Sequence, residues 1–284
     1  MIITVNGERL DLSRYNSFHA ARYDQTIDLV RSMDGGRTIE LGGHPWTMTA
    51  RLLSEPSVDL IATVSAEEVT AWPDDIPVTA NPYTMELPDG TSQDWTNISA
   101  NLERTLFPID SAGGENDGAD LVLACEIIEH LTRSPHIMLL NINSWLKMGG
   151  RVILSTPNGS QFDNPLRTKP KMPAYRYSQY ARHNYVFTMD ILCDLAETCG
   201  FEVEYTTYWS PYRRTGLAKL YRVMSRLPGT YFKNLFAQSI VLVARKIEDR
   251  ETASRIPRAY APAADWERIE GVGTSKRHEL ELTR

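Results

Sequence analysis

A chain of 284 residues has mass for one large hydrophobic core and a small appended region. Apolar residues make up 42% and charged residues 23%, and no apolar run nears the ~20 residues that span a bilayer, which excludes disordered and helical-membrane classes. The formal charge of -6 gives no overall pull toward nucleic acid.

The opening MIITVNGERLDL lacks a basic segment and a long apolar stretch, so it does not read as a signal peptide. Cys125, Cys193 and Cys199 are an odd set and read as reduced thiols, so a cytoplasmic protein is expected. Residues 1–12 predict a short hairpin around Asn6-Gly7. Tyr15, Phe18, Ala21, Ile27 and Val30 recur at helical spacing over 13–33. A short strand, 37–41, then runs into Gly42-Gly43-His44-Pro45-Trp46. Pro45 suits the first turn of a following helix, with His44 at its N-cap. The next strand covers 58–64. Residues 72–94, rich in Pro, Asp, Gly and Thr, read as an irregular excursion with a strand near 83–87. A third sheet strand is expected to end near Ala100-Asn101.

The organising stretch is 119–158. Residues 119–125 are apolar and too few for a helix, which predicts a strand buried on both faces. Glu126, Glu129 and His130 end that run; at i, i+3 and i+4 they share one face if helical. Ile137, Leu140, Ile142 and Leu146 resume at helical spacing up to Gly149-Gly150, a helix-stop signal. A second apolar strand, 151–155, ends in Thr156-Pro157-Asn158. In open parallel sheets ligands bind beyond the carboxyl ends of strands, which places Glu126 and Asn158 where chemistry is expected. Beyond it come a helix over 187–200, a strand over 201–209, a helix over 216–227 and a strand over 239–245. Few apolar residues follow Ile247. Strands alternating with helices predict an α/β fold with a sheet covered on both faces.

The glycine turn after Glu40 lets a ligand approach the backbone at a helix N-terminus, although the same residues suit a plain strand-to-helix turn. It is not the G-x-G-x-x-G spacing. An acid just before the glycines would repel a pyrophosphate and suits a cationic or hydroxylated ligand. Charge is also unevenly spread. Between Asn164 and His183 lie Arg167, Lys169, Lys171, Arg176 and Arg182 without an acid, interleaved with Tyr175, Tyr177 and Tyr180. From Thr206 to Lys246 there are eight basic residues and again no acid. Lys219, Arg222 and Arg226 alternate with Leu217, Leu220, Met224 and Leu227 in a basic amphipathic pattern. Such a face suits the phosphates of a nucleotide-linked sugar, a lipid carrier at a membrane surface, or RNA.

Glu40-Leu41-Gly42, Asn101-Leu102-Glu103 before Phe107-Pro108, Asp120-Leu121-Val122 into Glu126-Ile127-Ile128-Glu129-His130-Leu131, and Trp145 through Asn158 together resemble class I S-adenosylmethionine-dependent methyltransferases. Arg182-His183-Asn184 and Cys199-Gly200-Phe201 continue the likeness, which spans residues 13–246 and is nearest the ubiquinone-type and small-molecule or glycan branch. It implies a Rossmann-like, doubly wound, mostly parallel seven-stranded sheet with helices on both faces. It also implies S-adenosylmethionine as cofactor, with contacts at Glu40, Gly42, Gly43, His44, Asn101, Leu102, Cys125 and Glu126. Two departures stand out. His44 occupies a position where the family has glycine, and the acid that holds the ribose at the end of the second strand is replaced by Ser65, with Glu67 and Glu68 just beyond.

Methyl transfer to oxygen needs a base, for which His130 and His183 are the candidates. Glu126, Glu129, His130 and His183 also resemble the metal set of small-RNA 2′-O-methyltransferases, but the expected site carries no metal. The expected organisation is an N-terminal segment, 1–36, packing on a methyltransferase domain, 37–246, followed by a C-terminal arm, 247–284. The expected activity is methyl transfer to an oxygen or nitrogen of a small, anionic sugar, lipid-linked or secondary-metabolite acceptor. RNA is a lesser candidate, and peripheral contact with a membrane is compatible. The alternative is a binding protein that keeps the fold without the chemistry.

Overall fold

The computed structural model describes residues 1–65, 78–103, 107, 109, 118–131, 134–161, 185–210, 223–224 and 234–257. The 119–125 run is a strand because its small and branched apolar residues alternate between two cores. Val122 and Ala124 face one, and Leu121 and Leu123 face the other. Fully burying a side chain such as Val122, Leu121 or Leu123 stabilises the fold by about 1.5–3 kcal/mol.

That strand, β7 (Ala119–Cys125), lies at the centre of one ten-stranded sheet. The others are β1 (Ile2–Val5), β2 (Glu8–Asp11), β3 (Gly36–Leu41), β4 (Val58–Ser65), β5 (Thr79–Glu86), β6 (Ser92–Ser99), β8 (Leu146–Pro157), β9 (Phe201–Trp209) and β10 (Ser239–Lys246). Their order is β2-β1-β5-β6-β4-β3-β7-β8-β10-β9. The expected seven strands are the run from β6 to β9, in which β6, β4, β3, β7 and β8 pair in parallel and β10 runs antiparallel to β8 and β9. The total of seven is corrected to ten. The polar 79–99 stretch folds into an antiparallel hairpin, β5–β6, and the N-terminal hairpin extends it through Val5 opposite Met85.

The helices α1 (Ser13–Ser32), α2 (Thr47–Leu53), α3 (Pro135–Trp145) and α4 (Met189–Thr198) cover both faces. Tyr23, Ile27 and Val30 of α1 and Met48 and Leu52 of α2 pack with Leu121, Leu123 and Ile153. Met138, Leu139 and Ile142 of α3 and Leu192 and Leu195 of α4 pack with Val122, Ala124 and Leu154 on the other side.

Three local expectations change. Pro45 does not open α2: the His44–Pro45 bond is cis, and Trp46, in a left-handed conformation, is the N-cap. Trp46 is drawn into a cluster with Tyr83 and Trp95, at centroid distances of 5.4 and 5.7 Å, so burial of the indole sets where the helix begins. The α3 stripe stops at Trp145 rather than at the glycine pair, because Leu146 pairs with Ala119 in the sheet and Gly149, at φ 81°, makes the bend. Ile128–His130 is one 3-10 turn, so Glu129 points inward and His130 outward rather than sharing a helical face. The basic segment 164–183 including His183, most of 216–227, Glu67, Glu68 and residues 258–284 lie outside the described residues.

Candidate functional site

The strand order reverses between β3 and β7, whose chains lead away to opposite sides of the sheet. The crevice beyond their carboxyl ends is where such sheets take ligands. Glu40, the penultimate residue of β3, is buried there and accepts a hydrogen bond from Thr49 Oγ1 at 2.6 Å. Burial pushes its carboxyl up to about 7, against which the Thr49 bond pulls down. At Gly42, φ is 71°, and a Cβ would run into the Ile127 side chain, so the turn needs glycine. Gly43 is equally enclosed: a Cβ would lie 3.0 Å from Trp46, 3.1 Å from Thr49 Oγ1 and 3.2 Å from Thr63.

Glu126 follows β7 directly, with φ at 59°, an unusual conformation for a residue with a side chain. Three contacts hold it. Its N–H donates to Ser155 O at 2.8 Å, Ser155 Oγ donates to Oε1 at 3.1 Å, and Arg22 Nη1 of α1 lies 3.5 Å from Oε2. Glu129 is 1% exposed. Its Oε2 accepts from Thr156 Oγ1 at 3.0 Å, while its buried Oε1 has no hydrogen-bond partner among the described residues. Burial, then the charge of Glu126, holds the Glu129 carboxyl well above the usual range. Cys125 sits among the charges of Arg22, Glu126 and Glu40, but burial dominates and pushes its thiol up to about 12. That disfavours the thiolate at neutral pH.

The remaining candidates are spread around this centre. His44 is exposed, edge-on to Trp46 at 5.9 Å. Asn101 follows β6; its Oδ1 accepts the Glu103 N–H at 2.9 Å, and an amide oxygen has a second lone pair for a ligand. Leu102 is core. At the end of β4, Ser65 Oγ and Thr63 Oγ1 both donate to Asn97 Oδ1, at 3.2 and 2.9 Å, so hydroxyls stand where an acid was sought. His130 is 43% exposed, with Nε2 3.8 Å from Glu129 Oε1. Among the described residues no group of three or more His, Cys, Asp or Glu is arranged to hold a metal ion. Arg22, Thr49, Ser155 and Thr156 are site residues that sequence reasoning missed. For Arg22 a signal exists: a charged residue inside the buried stripe Tyr23, Thr26, Ile27, Val30.

The donor set fits a cationic ligand seated on a glycine turn. Glu40 and Glu126 supply acidic groups from the two strand ends, and the turn at Gly42, closed over by Ile127, carries the chain past Glu40 without a side chain of its own. Topology and site together define a Rossmann-like cofactor-binding enzyme fold.

The family model described as "Methyltransferase domain" matches residues 17–206, more than half of the chain. The chain therefore belongs to the methyltransferase-domain family, and it is an S-adenosylmethionine-dependent methyltransferase. No curated protein matches it in sequence. Similar solved structures include an S-adenosylmethionine-dependent methyltransferase from Mesorhizobium loti, at 16% identity and TM-score 0.48, covering 77% of this chain and 96% of that one. Another is the N-methyltransferase NodS from Bradyrhizobium japonicum WM9 in complex with S-adenosyl-L-homocysteine, at 10% identity and TM-score 0.45, covering 81% and 88%. A third is a SAM-dependent methyltransferase from Archaeoglobus fulgidus, at 13% identity and TM-score 0.46, covering 82% and 100%. No helix among the described residues is long and apolar enough to cross a membrane.

Proposed function

We propose that the protein methylates an oxygen or nitrogen of a small anionic acceptor, such as a sugar, a lipid-linked molecule or a secondary metabolite. The observation that carries the site assignment is the pair of acids, Glu40 and Glu126, held at the carboxyl ends of the two strands where the sheet order reverses. When bound, S-adenosylmethionine supplies an electrophilic methyl on a sulfonium. Glu40 and Glu126 would hold its cationic end, with Gly42, Gly43, His44, Asn101, Leu102 and Cys125 around it. The fixed geometry of Glu126, gripped by Ser155 and Arg22, orients that end, because in-line transfer depends on alignment more than on acid strength.

We assign proton acceptance to the His130 imidazole, whose Nε2 lies 3.8 Å from Oε1 of the buried Glu129; His183 is the second candidate base. The anionic character of the acceptor is supported by the acid-free basic run from Arg167 to Arg182, in a chain of net charge -6; of the eight basic residues over 206–246, Arg245 and Lys246 are taken up by Glu202, Glu204 and buried carbonyls and do not count toward it. Local charge concentrates an oppositely charged substrate even when net charge does not.

The test is methyl-labelled S-adenosylmethionine offered with fractionated cell extract to the parent and to the triple variant Lys169→Glu, Lys171→Glu, Arg176→Glu. We expect label in acidic, anion-exchange-retained material, with a Michaelis constant raised in the variant and sensitive to salt. Label confined to neutral or cationic material, with the same constant in both proteins, would overturn the anionic assignment.

A further inference from the structure

Arg22 pins one turn of α1 above the end of β7, through Glu126. The residues three, four and seven positions earlier are His19, Phe18 and Tyr15, on the same side of the helix. At 1.5 Å per residue, His19 lies about 4.5 Å and Tyr15 about 10 Å along the axis from Arg22. Burial falls off along this stripe. Arg22 is buried, His19 half-buried, and Tyr15 and Phe18 are 39% and 55% exposed. The rings form one cluster. Tyr15 and Phe18 lie 4.5 and 4.8 Å from the His19 ring, Phe18 edge-on at 84°, and Tyr23 is 5.9 Å away beneath.

Tyr23, Ile27 and Val30 already seat α1 on the sheet, and Arg51 of α2 fastens its side by bonds to Asp24 at 2.5 Å and Asn16 at 3.1 Å. A single exposed aromatic is ordinary; here two flank an imidazole one turn from the Arg22–Glu126 contact.

We propose that Tyr15, Phe18 and His19 form the acceptor-facing wall of the methyl-transfer site, suited to an acceptor that carries a flat ring. The ring lies against Phe18 and Tyr15, and the His19 imidazole orients the nucleophilic hydroxyl or amine toward the end of β7. The proposal rests on methyl transfer taking place beyond β3 and β7. Burial, and then the charge of Arg22, pushes the His19 imidazole down to about 4, so it is neutral near pH 7 and presents one donor and one acceptor nitrogen. It is a positioning residue: too weak a base to hold the proton, it aims the atom that loses it. A sugar ring and an aromatic ring share this chemistry, and two probes separate them.

The full chain, saturated with S-adenosylhomocysteine, is titrated with phenol and separately with methyl β-D-glucopyranoside while the ring signals of His19 and Phe18 are followed by NMR. His136, on α3 across the sheet, serves as the control. One probe is expected to shift both signals and leave His136 unmoved, and Phe18→Ala should abolish the effect. In methyl transfer to the acceptor fraction, Phe18→Ala is expected to raise KM about tenfold, within reach of a lost aromatic contact, without changing cofactor affinity. His19→Ala should lower kcat, and His19→Asn should restore part of it by keeping a donor and an acceptor. Because Phe18 is largely exposed, its removal spares the fold, and an unchanged KM would overturn the wall. Shifts from neither probe in a protein that binds S-adenosylhomocysteine would do the same. A parent that bound neither S-adenosylmethionine nor S-adenosylhomocysteine would instead sink the methyl-transfer assignment beneath it.

Discussion

A carboxylate buried without a full ion pair carries its own titration signature, and Glu40 is such a group. Its carboxyl rises from 4.5 to about 7 on folding, so between these values the native state holds a proton that the unfolded chain has lost. Stability then falls as pH rises through that window, by an amount on the order of 3 kcal/mol for a shift of this size. Glu129, also raised, adds in the same direction. Glu40→Gln, with nothing to ionise, should flatten part of the slope in denaturant midpoints measured between about pH 5 and about pH 8. A slope equal to that of the parent would show that Glu40 does not titrate there. Glu40→Ala should also weaken S-adenosylmethionine binding about tenfold in calorimetry, the scale of one charged hydrogen bond, with circular dichroism unchanged. Equal affinity would remove Glu40 from the cofactor site.

At the scale of elements, α3 has its C-terminus satisfied by another strand. Lys246, at the end of β10, is buried, and its Nζ donates to Asn143 O at 2.7 Å and Leu146 O at 2.8 Å. These carbonyls belong to the last turn of the helix and the residue after it, where a cation also meets the negative end of the helix dipole. Asp249 lies 2.7 Å from the same Nζ but is mostly exposed, so the carbonyl bonds contribute more than that ion pair. Asn143 continues the junction, donating to Cys199 O and Glu248 O and accepting from Arg250 N–H. Residues 247–257 are thereby tied to the body, with Ser254 N–H on Thr198 O and Arg255 on Asp194. Lys246→Met should cost about 2–3 kcal/mol, because two carbonyls lose a charged donor inside the protein. It should also speed amide exchange at Arg250 and Ser254. Loss of stability without faster exchange there would confine the role of Lys246 to α3.

For the whole molecule, the three-strand extension β5-β1-β2 turns the parallel sheet into a wider surface on which α1 rests. Ile3, Val5 and Met85 share a core with Tyr23, Ile27 and Val30, so the extension helps hold the helix that carries Arg22 and His19. Deleting residues 1–12 removes the buried Ile3 and Val5, a loss of about 4 kcal/mol by transfer of two aliphatic side chains. It also bares β5 as an edge. We expect a lower thermal midpoint, concentration-dependent light scattering and weaker cofactor binding through loosened α1. An unchanged midpoint with no scattering would mean that α2 and the central strands hold α1 without the hairpin.

Sequence alone sufficed where one residue reports its own burial. The apolar run of β7 announces a strand covered on both faces, and Glu40 and Glu126 stand out because acids end such runs where the sheet ends. The Asn6-Gly7 turn likewise declares a hairpin. What it could not declare is the neighbour: Val5 pairs with Met85, eighty positions away, and nothing in either strand names the other. The same holds within the site. Arg22 is one charge in a helix until α1 is laid on the sheet and the guanidinium meets Glu126. The 3-10 turn that sends Glu129 inward and His130 outward is too short to leave a period. Periodicity is a property of a segment and its exposure; strand count, the Arg22–Glu126 contact and the buried Glu129 are properties of segments meeting, decided by packing between residues far apart in the chain.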